Sequence, residues 1–316
     1  MTRPFTKRLK NRLIYLLIRS LVEVARRVPR RSGVWLFSML GRLAFYVPNR
    51  EKRRALKHLG MVFGSNKSPQ EIQRLARSCW GDLSANFFEA VRVTTWDAGD
   101  LDRNVIHDDL SPFTQAYHQG KGVIVVTGHI GCFELLLHFF ALKGYHSFAI
   151  GTRLFDSRIN QLVERGRSGE RIEYVNRNDV RGMLRLLKEG RAMGVLIDQD
   201  TNVDGVFAHF LGRIAYTPSG PVRLAMRFGI PLFVVTTHRL PDGRHQVTVG
   251  EPFPILSEGN FNSDLVRNVE GVNARLSEAI LNQPSQWVWM HRRWRRLPND
   301  PRFAGVPNIE KSATAP

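Results

Sequence analysis

The feature that most constrains the fold is an alternation of short apolar runs and helical segments in the second half of the chain. The apolar runs occupy 123–127, 147–152, 172–175, 192–197 and 231–236, and the first of them is rich in β-branched residues. Helical periodicity recurs between them near 133–143, 156–167, 179–189 and 219–228. This alternation predicts an α/β fold with a mostly parallel central sheet flanked by helices.

The N-terminal part of the chain has a helical pattern throughout. Amphipathic segments occupy residues 6–27 and 33–47, and a more charged segment follows at 49–63. Another helix is expected to begin after Ser68, with Pro69 in its first turn and Glu71 completing a capping box. We therefore divide the chain into a helical region (1–115), an α/β core (116–300) and a tail (301–316). Within the core, we expect an edge strand at 245–249 and a last helix at 263–281.

Most of the positive charge lies near the N-terminus. The chain has a formal net charge of +18, and residues 1–60 contain sixteen Lys or Arg against two acids, Glu23 and Glu51. Basic residues that flank apolar ones are typical of a helix lying in the headgroup region of an anionic membrane. A membrane-spanning helix is the alternative, but Arg19, Glu23 and Arg42 interrupt the two apolar candidates. We predict a basic amphipathic helical anchor and no cleaved signal peptide.

Nucleic acid is the other common partner of a basic chain. No reliable helix-turn-helix spacing, zinc-ligand pair or aromatic-glycine RNA signature is present, and the chain after residue 60 is only mildly basic. We therefore expect no nucleic-acid partner. A phosphate-binding loop, a dinucleotide glycine pattern and a His-Glu-x-x-His motif are also missing from the sequence, so we expect neither a cofactor nor a metal.

The first apolar run leads into the most informative motif. It continues as Thr-Gly-His-Ile-Gly-Cys-Phe-Glu at 127–134, which places His129 on a turn and Glu134 in the first turn of the next helix. A carboxylate bonded to one imidazole nitrogen raises the basicity of the other. We predict that His129 is a general base and Glu134 its orienting partner. A loop histidine that caps the helix would give the same spacing.

The two cysteines, Cys79 and Cys132, indicate a reducing compartment without a disulfide framework. Cys132 lies close enough to His129 in sequence to suggest a thiol nucleophile. We favour instead a free cysteine buried in the helix packing. The substrate hydroxyl itself is then expected to attack, with no covalent enzyme intermediate.

A second carboxylate motif follows the apolar run at 192–197. Asp198 ends this run, and Asp200 lies two residues further on. Sites in open α/β sheets lie beyond the carboxyl ends of the strands, where His129 is also expected. Asp198 could therefore orient substrate or bind metal, or it could cap the next turn.

Taken together, four segments resemble the lipid A biosynthesis lauroyl/myristoyl acyltransferases, within the lysophospholipid acyltransferase superfamily. The resemblance extends from the basic N-terminal region to about Pro298. Its segments are 127–134 with a His-four-acid motif, the region from Arg153 through Arg167 to Arg177, residues 196–200, and residues 286–294 with their tryptophans. Their order and spacing together make the resemblance specific.

The resemblance implies transfer of a fatty acyl chain from acyl carrier protein, or less often from coenzyme A, to a hydroxyl of a glycolipid. The reaction would take place at the cytoplasmic face of the bacterial inner membrane. The resemblance also implies that His129 is the base and Glu134 its partner. The residues that would bind the donor or the glycolipid phosphates are Arg153, Arg167, Arg177 and Asp198. A sister branch acylates phosphoinositol mannosides, so a lipid A precursor is the expected acceptor but not the sole candidate.

Two other functions fit parts of the sequence. A hydrolase could use the same His–Glu pair on water, although neither a serine elbow nor metal ligands are visible. A non-catalytic protein that binds anionic lipid would explain the basic N-terminal region but not the motif around His129. For Trp287, Trp289 and Trp294, an interfacial belt and core packing are equally compatible with the sequence.

Overall fold

The computed structural model describes residues 5–151, 161 and 171–312. The chain begins with four helices that match the expected helical pattern to within a few residues: α1 (Phe5–Arg27), α2 (Arg30–Ala44), α3 (Arg50–Phe63) and α4 (Pro69–Arg92). The predicted capping box opens α4, where the Ser68 backbone N–H donates to Glu71 Oε2 at 2.8 Å and the Glu71 N–H donates back to Ser68 Oγ.

The remaining elements alternate as predicted over most of the core. The described strands are β1 (Val105–His107), β2 (Val123–Thr127), β3 (Ser147–Gly151), β4 (Ile172–Asn176), β5 (Ala192–Leu196), β6 (Gly205–Phe210), β7 (Arg213–Pro218), β8 (Leu232–Val234), β9 (Thr236–Arg239) and β10 (His245–Thr248). The later described helices are α5 (Ala98–Asn104), α6 (Ser111–His118), α7 (Glu134–Leu142), α8 (Val180–Lys188), α9 (Gly220–Phe228), α10 (Phe261–Asn282) and α11 (Ile309–Ser312). The helix expected near 156–167 lies outside the described residues.

The central sheet has five parallel strands in the order β4-β3-β5-β2-β8. Its middle strands are covered on both faces. Along β2, Val123 and Val125 pack into one hydrophobic cluster while Ile124 and Val126 pack into another. Because successive side chains of a strand point to opposite faces, this division shows that packed layers cover both sides of the sheet. The predicted α/β class with a mostly parallel sheet is confirmed.

Two strand predictions need correction. The segment 245–249 was expected at an edge, but β10 lies between β1 and β9 in a separate three-stranded sheet. The run 231–236 was expected to be one strand, but it divides into β8 of the central sheet and the start of β9, which pairs with β10. The β6–β7 hairpin was not predicted. Its turn places Leu211 at φ 52°, which a local apolar pattern does not reveal.

Helices α2 and α4 pack closely through glycines. A side chain at Gly33 would overlap the Phe88 ring, and one at Gly41 would lie 2.2 Å from the Trp80 carbonyl oxygen. With Gly33, Phe37 and Gly41 buried along one side of α2, other apolar residues remain on its surface. Exposed apolar side chains on α1, on α2 and just after α2 are Leu16, Leu17, Val24, Trp35, Met39, Leu40, Leu43, Tyr46 and Val47. No helix in the described part of the chain is long and apolar enough to cross a bilayer.

A buried ionic cluster joins these helices to the second sheet. Glu89 of α4 is fully buried and contacts Arg30 at 2.5 Å, Arg239 of β9 at 2.7 Å and His245 of β10 at 3.0 Å. Burial acts to raise the pKa of the Glu89 carboxyl, but these three partners outweigh it and hold the pKa well below its usual range. Glu89 is therefore the shared anion of three surrounding groups from three elements.

We expect Glu89→Gln to lower the free energy of unfolding by about 3–5 kcal/mol, because it leaves buried cations without their counter-ion. Urea unfolding at neutral pH measures the change. The exposed Glu278→Gln is the control and should stay within about 0.5 kcal/mol of wild type. A Glu89→Gln protein as stable as this control would show that the ionic cluster contributes nothing to the free energy of unfolding.

Candidate active site

The parallel pairing of β2 and β5 brings His129 and Asp198 together. Thr127, the last residue of β2, is in register with Leu196, the last residue of β5. Each strand is followed two residues later by a functional side chain, His129 after β2 and Asp198 after β5. The carboxyl ends of adjacent parallel strands meet at one edge of a sheet, so the two side chains become neighbours.

Asp198 binds the His129 turn with both carboxylate oxygens. His129 Nδ1 lies 2.7 Å from Oδ1, and the His129 backbone N–H donates to Oδ2 at 2.6 Å. The indole Nε1–H of Trp287 also donates to Oδ2, at 2.8 Å. Asp198 is fully buried, which acts to raise the pKa of its carboxyl, but His129 and these hydrogen bonds outweigh burial and hold the pKa well below its usual range. Asp198 is therefore ionised at neutral pH.

Glycine occupies two positions of the motif, 128 and 131, for different structural reasons. A side chain at Gly128 would lie 3.0 Å from Asp198 Oδ2, so a larger residue would crowd the carboxylate against the turn. Gly131 has φ 55°, in the left-handed region that favours glycine. A side chain at Gly131 would also lie 2.3 Å from the Thr237 carbonyl oxygen. The glycines allow the turn to lie between β5 and β9.

The other imidazole nitrogen of His129 faces a polar group of side chains. Gln199 Nε2 lies 2.8 Å from His129 Nε2 and 2.8 Å from His291 Nε2. Because ionised Asp198 accepts from Nδ1–H, a neutral His129 carries its lone pair on Nε2. The Gln199 nitrogen is also 3.1 Å from His129 Nδ1, so it lies over the face of the imidazole ring and leaves the in-plane direction of that lone pair open. His129 is about one-fifth exposed, so Nε2 is accessible as a base.

A C-terminal segment, residues 286–296, is hydrogen-bonded to the turn that carries His129. The Gly131 N–H donates to the Gln286 carbonyl at 2.8 Å, and Ile130 forms a β-bridge with Trp287. The Gln286 side chain in turn donates to the Arg239 carbonyl and accepts from the Arg239 N–H. Trp287 and Trp289 are 2% and 0% exposed, so core packing is the correct interpretation for these two tryptophans.

The carboxylate that contacts Nδ1 of His129 is Asp198. Glu134 was predicted to orient His129, but the hydrogen bonds to Nδ1 and to the backbone N–H of His129 come from Asp198, which was predicted to bind substrate. Glu134 is the first residue of α7, as expected, and lines a cavity beside the motif. Sequence spacing could not choose between the two acids because the β2–β5 pairing is non-local.

Of the three predicted substrate-binding arginines, the structure describes one. Arg177 follows β4 at the same edge of the sheet, and its buried Nε atom has no hydrogen-bond partner among the residues that the structure describes. Since β4 is three strand spacings from β2, Arg177 stands on the order of 14 Å from the His129 strand. Arg153 and Arg167 lie outside the described residues. Gln199, Trp287 and His291 were not identified from the sequence as site residues.

An apolar cavity of about 80 Å³ lies beside the base, between α7 and strands β2, β3 and β5. Phe133 lines it and also contacts the His129 ring edge-on, with centroids 4.9 Å apart. Its other walls are mainly aliphatic, and Glu134 lies on its lining. The site therefore combines a histidine base with an adjoining hydrophobic space.

Cys132 does not have the environment of a nucleophile. It is 2% exposed, and burial raises the pKa of its thiol far above neutral pH. The thiol contacts the Asn86 carbonyl in the helix packing, as predicted for a structural cysteine. In the part of the chain described, no three His, Cys, Asp or Glu side chains are grouped closely enough to hold a metal ion.

His291 should make stability depend on pH in the mildly acidic range. Burial, reinforced by His129, lowers the pKa of His291 to about 4 from about 6.5. As pH falls from 6.5 to 4, the unfolded chain binds a proton that the folded protein does not, so stability is lost. The loss attributable to this residue should reach up to about 3 kcal/mol.

His291→Asn should therefore remove part of the decline in unfolding free energy between pH 7 and pH 4, measured by urea unfolding. The control is His118→Asn, because His118 is exposed. Equal pH dependence in wild type and the His291→Asn protein would contradict the assignment of a buried neutral His291.

Comparisons with known proteins identify the family of the chain. A family model described as bacterial lipid A biosynthesis acyltransferase matches residues 4–296. The chain is 25% identical over 272 residues to the lipid A biosynthesis palmitoleoyltransferase of Escherichia coli, covering 84% of this chain and 85% of the relative. It is 23% identical over 278 residues to the lipid A biosynthesis lauroyltransferase of the same organism, covering 85% of each.

A relative with another acceptor also matches. The phosphatidylinositol mannoside acyltransferase of Mycolicibacterium smegmatis is 22% identical over 279 residues, covering 86% of this chain and 88% of the relative. The resemblance inferred from the sequence motifs is confirmed by the family match over nearly the whole chain. The chain therefore belongs to the bacterial lipid A biosynthesis acyltransferase family and is an acyltransferase.

Proposed function

We propose that this acyltransferase moves a fatty acyl chain from acyl carrier protein to a hydroxyl of a lipid A precursor, with coenzyme A as the alternative donor. The observation that carries the proposal is the His129–Asp198 pair at the carboxyl ends of β2 and β5, beside an apolar cavity. A thioester acyl transfer needs a base, a stabilised oxyanion and a hydrophobic site for the chain. The family membership supports the same reaction.

In the proposed reaction, His129 Nε2 takes the proton of the acceptor hydroxyl. The resulting oxygen attacks the thioester carbonyl carbon, and the carbonyl π pair moves onto its oxygen. When the tetrahedral intermediate collapses, the C–S bond breaks and an ester remains. His129 returns its proton to the leaving thiolate, so no covalent enzyme intermediate forms. Asp198 stabilises the imidazolium between these two steps because its charge lies 2.7 Å from Nδ1.

We assign the acyl chain to the cavity next to Phe133. A chain whose carbonyl carbon lies near His129 Nε2 can enter that cavity past the Phe133 ring, which contacts both. Arg177, with Arg153 and Arg167, is proposed to bind phosphate groups of the acceptor or donor, because a guanidinium pairs with two phosphate oxygens at once. Glu134 lines this cavity and is proposed to contact the bound substrate.

A phosphatidylinositol mannoside is the second candidate acceptor. The M. smegmatis relative with that name matches as much of the chain as the lipid A enzymes do, at similar identity. The catalytic step is the same for both acceptors, since each presents a hydroxyl. Parallel assays with the two glycolipids decide between them.

We also propose that the protein works at the cytoplasmic face of the bacterial inner membrane, on its anionic lipids. The buried side of α2 is occupied by α4, yet its outer side exposes Trp35 (64%), Met39 (39%) and Leu43 (54%). Arg27, Arg31 and Arg42 lie near these apolar side chains in sequence. An apolar surface surrounded by cations fits a membrane interface without a spanning helix.

Removal of the base should abolish acyl transfer. We expect His129→Ala to lower kcat by about 10²- to 10⁴-fold, with acyl carrier protein thioester and a lipid A precursor as substrates. Asp198→Asn should lower kcat on the order of 10³-fold, since an amide cannot stabilise the imidazolium. The double variant should be little worse than His129→Ala alone, because both residues serve one proton transfer.

Glu134→Gln is the matched control for Asp198→Asn, since both replace one acid of the site by its amide. We expect the smaller loss from Glu134→Gln, because Asp198 holds Nδ1 of the base. Wild-type transfer by the His129→Ala protein would overturn the mechanism. Release of free fatty acid in place of acylated glycolipid would assign the protein to the hydrolases.

The membrane surface is tested by sedimentation with anionic phospholipid vesicles. We expect the double variant Trp35→Glu/Leu43→Glu to bind roughly 100-fold more weakly, because each lost side chain contributes about 1.5 kcal/mol or more on burial. Higher salt should weaken wild-type binding as well. The control, Leu281→Glu/Leu297→Glu, alters two leucines of similar exposure elsewhere and should bind normally. Normal binding by the Trp35/Leu43 variant would remove α2 from the interface.

A further inference from the structure

Gln199 has an unusual position beside the proposed base. Its side-chain amide lies 2.8 Å from Nε2 of His129 and 2.8 Å from Nε2 of His291. The neighbouring Asp198 is fixed by three hydrogen bonds, so the backbone that carries Gln199 is well anchored. The same nitrogen is 3.1 Å from His129 Nδ1, so the amide lies over the face of the proposed base, with His291 on its other side.

Thioester attack requires a hydrogen-bond donor for the carbonyl oxygen as it becomes negative. Backbone amides often fill this role, but three near the base are already committed. His129 N–H donates to Asp198, Ile130 N–H to the Gly128 carbonyl at 2.8 Å, and Gly131 N–H to the Gln286 carbonyl at 2.8 Å. Among the described residues, the side-chain amide of Gln199 is a donor that lies close to the reacting atoms, 2.8 Å from His129 Nε2.

We infer that Gln199 is a catalytic residue whose amide N–H stabilises the oxyanion of the tetrahedral intermediate, and that His291 positions it. This inference rests on the proposed acyl transfer. An acceptor oxygen bonded to His129 Nε2 lies in the plane of the ring, while the Gln199 amide lies over the ring face, 2.8 Å from the same nitrogen. The carbonyl under attack lies about 3–3.5 Å from the acceptor oxygen before the bond forms. Its oxygen therefore enters the space that the Gln199 N–H reaches.

His291 is suited to hold the amide because it accepts a hydrogen bond through a neutral Nε2. The charged and titratable groups that act on it are His129, Asp198 and Arg54, and burial keeps it uncharged at neutral pH. An uncharged imidazole accepts the second N–H of Gln199 and leaves the first one directed at the substrate. The amide loses no proton during the reaction; its N–H donates to the oxyanion while that charge is present.

The test is Gln199→Leu, which keeps the size of the side chain and removes the donor. We expect kcat to fall about 10²- to 10³-fold across the pH range, with KM nearly unchanged. Binding of a non-reactive thioether analogue of the acyl donor should also be unchanged, because the oxyanion forms only during reaction. His291→Phe should give a smaller kcat loss. The exposed Gln115→Leu serves as the control and should retain wild-type rates.

The outcomes distinguish an error in the role of Gln199 from an error in the proposed acyl-transfer mechanism. If His129→Ala is inactive while Gln199→Leu turns over at or above the wild-type rate, Gln199 only covers the resting base and the inference is wrong. If Gln199→Leu loses analogue binding together with kcat, its role is structural and the inference is again wrong. If His129→Ala itself remains active in the same assay, the proposed acyl-transfer mechanism is wrong.

Discussion

The site depends on one buried carboxylate. Asp198 has no exposed surface, and it is kept ionised by His129, by the backbone of the His129 turn and by the Trp287 indole. A buried charge is costly unless its lone pairs are satisfied, so each of these donors is needed for the anion to exist where it does. The same bonds that stabilise the carboxylate fix the orientation of the imidazole and the path of the turn. Structure and proposed chemistry therefore share one set of contacts.

Distant parts of the chain converge on that carboxylate. Residues 286–296 supply Trp287 and the Gln286 carbonyl, and the Gln286 side chain joins them to Arg239 of β9. Arg239 and Arg30 share Glu89, so an unbroken series of polar contacts extends from α2 to the His129 turn. Because α2 also carries the exposed apolar residues proposed to face lipid, the membrane surface and the site belong to one packed unit.

The sequence predicted well what local patterns determine. The β2 strand, the turn at His129 and the start of α7 at Glu134 follow from apolar periodicity and two glycines. The partner of His129 could not be predicted in this way. Asp198 lies 69 residues further along the chain, and only the pairing of β2 with β5 brings it next to His129. The rule that sites lie at the carboxyl ends of strands had placed both residues at one edge. Their pairing could have been inferred only if β2 and β5 had been recognised as neighbours. Gln199 and His291 carry no local signature at all.

The central claim is that Asp198 holds His129 with its proton on Nδ1 and leaves Nε2 free as the base. The most direct test is the nitrogen NMR spectrum of the protein labelled with ¹⁵N-histidine at neutral pH, with His129→Ala to assign the resonances. The account predicts a protonated Nδ1 and an unprotonated Nε2 for His129, and loss of this tautomer preference in Asp198→Asn. A His129 protonated on Nε2, or one unaffected by Asp198→Asn, would contradict it.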